Sequence, residues 1–162
     1  MAEMGENSFC YNKMYWLSPN SFYAELLQNL YAGPYSEIIS FLQFSYQSFL
    51  LTPYGNKIGK TFERLASEDL LHAKKLAEAI VMLGGKPEYK SSSGKFLGGR
   101  NINTDSNISA MIVADVELKE NAIINLKTTL AKIDNKFIQN LLNSIINEEQ
   151  YHLNLLKELN KE

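Results

Sequence analysis

Residues 58–79 and 138–159 carry apolar stripes that superimpose when one is shifted by 80 positions (138 − 58, 152 − 72). The first reads Ile58, Phe62, Leu65, Asp69, His72, Leu76, Ala79, Leu83, and the second Ile138, Leu142, Ile145, Glu149, His152, Leu156, Leu159. Steps of four and three alternate, which holds each stripe to one face of an α-helix. The only two histidines of the chain fall on these stripes, each three positions after a carboxylate. Residues i and i+3 project from one helical face, so each stretch presents an oxygen and a nitrogen ligand side by side toward the interior.

The rest of the chain reads as more of the same. Ser18-Pro19 predicts a helix start, with proline at the first helical position. The helix then runs to about Leu51, kinked where Gly33-Pro34 interrupts it. Thr52-Pro53-Tyr54-Gly55 is a turn, a second helix spans about 56–83, and Gly84-Gly85-Lys86-Pro87 ends it. Residues 86–104 are rich in Ser and Gly, and a gap of that length predicts a crossover along a bundle. A third helix is expected from about Asp105 to Ile133 and a fourth, after Asp134-Asn135, to about Leu159. No strand pattern competes. The expectation is an all-α, up-down four-helix bundle over residues 19–162 with one long crossover between helices two and three. Residues 1–18 form an N-terminal arm, which contains Cys10.

Composition removes several classes of function. A length of 162 residues, 45% hydrophobic and 21% charged, suits one globular domain with a full core. The net charge of −2 argues against nucleic acid or an anionic membrane reached by charge alone. A single cysteine permits no internal disulfide, zinc ribbon, rubredoxin module or four-cysteine iron–sulfur cluster. No apolar run is long enough for a bilayer and no secretory leader pattern is evident, so a cytoplasmic location is expected.

The other two seams each carry an ionisable residue. Helix one offers Leu27, Leu30, Pro34, Glu37, Phe41, Phe44, and helix three Ile112, Val116, Lys119, Ile123, Leu126, Leu130. An isolated charge in a bundle core costs several kcal/mol. Six ionisable groups on four inward seams therefore need a shared cause, and metal coordination is the simplest. Mixed oxygen and nitrogen donors suit iron or manganese, with zinc as a substitute.

The chain resembles the ferritin-like superfamily, in particular its rubrerythrin and manganese-catalase-like branch of di-metal carboxylate proteins. Tyr31-Ala-Gly-Pro-Tyr-Ser-Glu37, Glu68-Asp-Leu-Leu-His72, Leu83-Gly-Gly-Lys-Pro87 and Glu148-Glu-Gln-Tyr-His152 carry the resemblance over about residues 19–160. It implies that Glu37 and His72 bind one metal, that Asp69 and Glu149 bridge, and that His152 binds a second. It also implies that Glu68 contacts His152 and Glu148 contacts His72, each from the opposite helix. No acid–base residue separate from the ligands is evident.

Two positions depart from the family pattern. Asp69 stands where glutamate is usual and is shorter by one methylene. Lys119 falls where the third helix should offer a glutamate. Glu117 lies about 200° round the helix from Lys119, whereas Glu120, about 100° off the seam, is the better substitute ligand. Glu37, Asp69, Glu149 and Lys119 sum to −2, which balances one divalent ion. The expectation is thus one or two ions per chain, with one held tightly and the Lys119 ammonium near the second position. Alternatively, Lys119 snorkels to solvent. The leading function is a redox metalloprotein, possessing oxidoreductase activity on oxygen or peroxide, with a separate electron donor and a homodimeric assembly. The alternatives are a metal-poor structural or binding bundle, in which Lys119 pairs with Glu37 or Glu149 in place of a metal, and iron storage in a cage.

Overall fold

A computed structural model describes residues 17–161. Cys10 and residues 1–16 of the expected arm lie outside the described residues. Five α-helices follow: α1 (Ser21–Ala32), α2 (Glu37–Leu51), α3 (Lys57–Met82), α4 (Ile108–Leu130) and α5 (Lys136–Leu159). Single 3-10 turns cover Thr52–Tyr54 and Gly99–Asn101. Among the described residues the only extended pairing is the isolated bridge Lys90–Phe96.

Every α-helix begins at an Asn or Ser whose side chain accepts a first-turn N–H: Asn20, Ser36, Asn56, Asn107 and Asn135. These caps correct two boundaries. Asn20 rather than Ser18 starts α1, because its Oδ1 takes the Tyr23 N–H at 3.0 Å. Asn107 starts α4, while Asp105 is held in a turn by its N–H to Asn103 Oδ1 at 2.9 Å.

The expected kink at Gly33-Pro34 is a full break. Gly33 closes α1 by donating to Asn29 O at 2.9 Å, and a Cβ there would lie 2.5 Å from that oxygen. Pro34 has no N–H to continue the ladder. Tyr35 then turns left-handed at φ 55°. Pro34 is consequently exposed and absent from the seam, while Glu37 becomes the first residue of a new helix.

Helices α1 and α2 together form one column of a four-column bundle. The core at one end joins Leu27 and Leu30 of α1 to Leu76 and Ile80 of α3, Leu126 of α4 and Leu142 of α5. At the other end it joins Phe44 of α2 to Phe62 of α3, Met111 of α4 and Leu156 of α5. Columns one and four therefore run one way and α3 and α4 the other, as a long crossover requires. Gly84, at φ 85°, ends α3, with Gly85 N bonding Ile80 O and Gly84 N bonding Val81 O. The crossover is pinned along the first column through Gln28 to the carbonyls of Glu88 and Lys90 and through Gln43 to Asn103 N. No helix of the described residues is long and apolar enough to cross a membrane.

Candidate metal centre

Between the two core clusters the seams turn polar. Glu37 of α2, Asp69 and His72 of α3, Lys119 of α4, and Glu149 and His152 of α5 are all at most 2% exposed. The break before α2 places Glu37 at a helix N-terminus, where the dipole favours a carboxylate. The matched stripes of α3 and α5 bring their two carboxylate–histidine pairs to one depth, with imidazole centroids 6.0 Å apart.

Both imidazoles turn Nδ1 inward and Nε2 outward. His72 Nδ1 lies 3.3 Å from Glu37 Oε2 and 3.4 Å from Glu149 Oε1. His152 Nδ1 lies 3.2 Å from Glu149 Oε1 and 3.4 Å from Asp69 Oδ1. Outward, His72 Nε2 meets Glu148 Oε2 and His152 Nε2 meets Glu68 Oε2, each at 2.7 Å. The glutamates preceding Asp69 and Glu149 thus reach across to the opposite helix's histidine. Contacts of this kind fix ring orientation and tautomer in metal sites.

Lys119 does not snorkel. It is fully buried, and its Nζ lies 2.8 Å from both Asp69 oxygens and 2.9 Å from Glu149 Oε1. Those three bonds use all three ammonium hydrogens. Glu149 Oε2 is also close, at 2.7 Å, yet makes no well-directed hydrogen bond. The pairing is with Asp69 and Glu149 together; Glu37, the other partner considered, is not within ion-pair distance. The Phe44 ring lies 5.4 Å from the ammonium. Glu120 is corrected as a substitute ligand: it is exposed and pairs with Lys157 at 2.6 Å. Glu117 is exposed too.

Charge is strongly coupled here. Burial pushes Glu37 up to about 7, helped by Glu149 and opposed by His72. Burial alone would lower His72, but Glu149 and Glu37 outweigh it and hold the ring up at about 11. His152 is raised to about 9 in the same way, with Asp69 and Glu149 overcoming burial. Against its own burial, Glu149 is held well below the usual range, chiefly by Lys119. Lys119 is raised because Asp69 and Glu149 outweigh desolvation.

The donor set fits a metal ion. One ligand atom each from Glu37, Asp69, His72 and Glu149 lies within 4.8 Å of the others. One buried ligand atom, His152 Nδ1, has no hydrogen-bond partner. Glu37, His72 and Glu149 converge from three helices, while Asp69 has both oxygens on Lys119.

Sequence reasoning missed a neighbouring polar group. Asp115 is fully buried and accepts from Gln43 Nε2 at 2.6 Å and Gln47 Nε2 at 2.9 Å. The available signal was spacing: Asp115 lies three after Ile112 and four before Lys119, on the same face.

The family model for the ferritin-like domain matches residues 26–162. KatB, a manganese catalase from Anabaena, is similar in structure with a TM-score of 0.82 at 17% identity, over 88% of this chain and 73% of that one. The bacterioferritin of Rhodobacter capsulatus gives 0.76 at 18% identity, over 90% and 87%. The bacterioferritin of Desulfovibrio desulfuricans, which has a diiron site, gives 0.71 at 22% identity, over 87% and 79%. No curated protein matches the chain.

Proposed function

The chain belongs to the ferritin-like domain family, and from that premise we propose that its centre holds one iron or manganese ion that meets hydrogen peroxide or oxygen, with Lys119 standing where a second ion would sit. The observation that carries this is the Lys119 ammonium, 2.8 Å from both oxygens of Asp69 and 2.9 Å from Glu149 Oε1. Glu37, His72 and Glu149 would hold the ion from one side and His152 would complete the set from the other. Three carboxylates and one ammonium leave −2, the charge that a single divalent ion neutralises. Zinc would bind the same donors as a substitute.

When bound, iron or manganese supplies a change of oxidation state and a Lewis-acidic position. The protein supplies orientation and charge. Glu148 Oε2 accepts a hydrogen bond from His72 Nε2–H and leaves Nδ1 facing the centre. Lys119 holds Glu149 well below the usual carboxylate range and opposes the burial that raises Asp69. Phe44 and Phe62, both fully buried, seal one end against water. Electrons would come from a separate donor, since the chain has no cysteine pair for a redox module.

Elemental analysis of purified protein tests the stoichiometry. One ion per chain is expected, and two tightly held ions would overturn the reading. Lys119→Glu should raise the count to two. Peroxide consumption by iron- or manganese-loaded protein, lost in His72→Ala, tests the redox assignment. A second reading is a metal-free structural bundle. It is favoured because Lys119 and the two imidazoles already place a cation against each buried carboxylate. An unchanged melting temperature after chelation would select it.

A further inference from the structure

Beside the centre, α2 and α4 enclose a second polar cluster that metal ligation does not use. Ser40, Gln43 and Gln47 of α2 and Asp115 of α4 are at most 4% exposed. Asp115 Oδ1 accepts both glutamine amides, and Gln43 Oε1 accepts Asn103 N. Three oxygens are left without a partner: Asp115 Oδ2, Gln47 Oε1 and Ser40 Oγ. A buried polar atom left dry costs about 1–3 kcal/mol. One N–H of each glutamine goes to Asp115, which leaves Asp115 Oδ2 and Gln47 Oε1 as acceptors for a bound donor, while the Ser40 hydroxyl can donate as well as accept.

The surroundings provide a way in. A cavity of about 430 Å³ opens between α2, α4 and the crossover, lined among others by Gln43, Arg100, Asn103, Ala114 and Leu118. Gln43 belongs to both the cavity wall and the buried cluster. On the inner side, Asp115 sits one helical turn before Lys119, whose ammonium holds the centre's carboxylates. The Gln43–Asp115 bond therefore joins the cavity wall to the buried cluster.

We propose that Ser40, Gln43, Gln47 and Asp115 form a buried subsite that takes a small neutral O–H donor from this cavity, water at rest and hydrogen peroxide when present, and holds it one helical turn from Lys119. A water molecule or a hydrogen peroxide molecule carries two O–H groups, lone pairs and no charge, which matches two open acceptors and a hydroxyl beside an ion-paired interior. Apolar oxygen has no donor and gains nothing there. The peroxide part rests on the proposed reaction of the centre; the hydration does not.

The test uses the metal-free full chain with its glutamine side chains labelled with nitrogen-15, so it is independent of metal binding. Water NOE and ROE measurements at the Gln43 and Gln47 amides should show a water residing longer than molecular tumbling. Their absence would overturn the subsite. Titration with hydrogen peroxide should shift both amides saturably, and Ala114→Trp, which fills the cavity wall, should slow that exchange at least tenfold. Water signals without a saturable peroxide shift would overturn the peroxide assignment. Shifts unaffected by Ala114→Trp would overturn the cavity as the route. Loss of peroxide turnover in loaded protein with these signals intact would implicate the metal reading instead.

Discussion

Replacing Lys119 with methionine removes the ammonium and keeps most of the stem. Three charge-assisted bonds vanish, two on Asp69 and one on Glu149. Both carboxylates are fully buried, so neither can recover the loss from solvent. Breaking a buried ion pair from one side costs about 3–5 kcal/mol, mostly the penalty of the stranded charge. In a domain of this size that lowers the melting temperature by roughly 6–20 °C. The deficit should be rescued by manganese(II) or iron(II), since a cation can now approach the vacated carboxylates. A ligand at about one hundred times its Kd returns about 2.7 kcal/mol. Thermal and denaturant unfolding of metal-free and metal-supplemented protein measure both effects. If the metal-free variant loses less than about 1 kcal/mol, or metal stabilises variant and parent equally, Lys119 is not the cation that holds this centre together.

Three further outcomes follow from particular contacts. Asp69→Glu adds a methylene to a fully buried side chain that already touches Lys119 on both oxygens; it should cost about 1–3 kcal/mol through overpacking, and less in a Lys119→Ala background that vacates the space, as a double-mutant cycle in denaturant would show. Glu148→Ala removes the acceptor 2.7 Å from His72 Nε2 and should weaken metal affinity about 10–100-fold with little loss of stability, because Glu148 is half-exposed; an unchanged Kd in chelator competition would exclude that orienting role. Burial pushes Asp115 up to about 7 against the bonds from Gln43 and Gln47, so the unfolded chain ionises it first, stability falls as pH rises from about 4 to 7, and Asp115→Asn should flatten that limb of the stability–pH curve.

The parts of this molecule legible in the sequence were those fixed by periodicity. The stripes of α3 and α5 needed only spacing, and a buried charge on such a stripe announces a shared site whatever the fold. Cap positions were less legible, because several Ser, Asn and Asp residues near each helix start compete for the same N–H groups; Asn20 and Asn107 prevailed by accepting from Tyr23 N and Ala110 N, a choice among near-equal local candidates. The break at Gly33-Pro34 was visible, but its extent depended on Tyr35 accepting a left-handed φ of 55°. Asp115 went unread since its partners Gln43 and Gln47 come from another helix, 72 and 68 positions away. Glu120 failed as a ligand for a related reason: rotation of α4 is set by Lys119 reaching inward, which leaves Glu120 to Lys157 on the surface.

The two departures from the family pattern explain each other. A lysine is longer than the glutamate it replaces, and an aspartate is shorter. With glutamate at 69, the carboxylate would reach into the space that the Lys119 ammonium fills. With aspartate there, the ammonium sits 2.8 Å from both oxygens and still reaches Glu149. A lone Lys119 substitution in a site of four carboxylates would overcrowd it, and a lone Asp69 would leave a gap on one side of the ion. On the proposed reading they together exchange one metal position for a covalently tethered cation at nearly constant volume and charge. On the proposed reading Lys119 holds the Asp69 side together without metal, and an exchangeable ion would sit among Glu37, His72, Glu149 and His152.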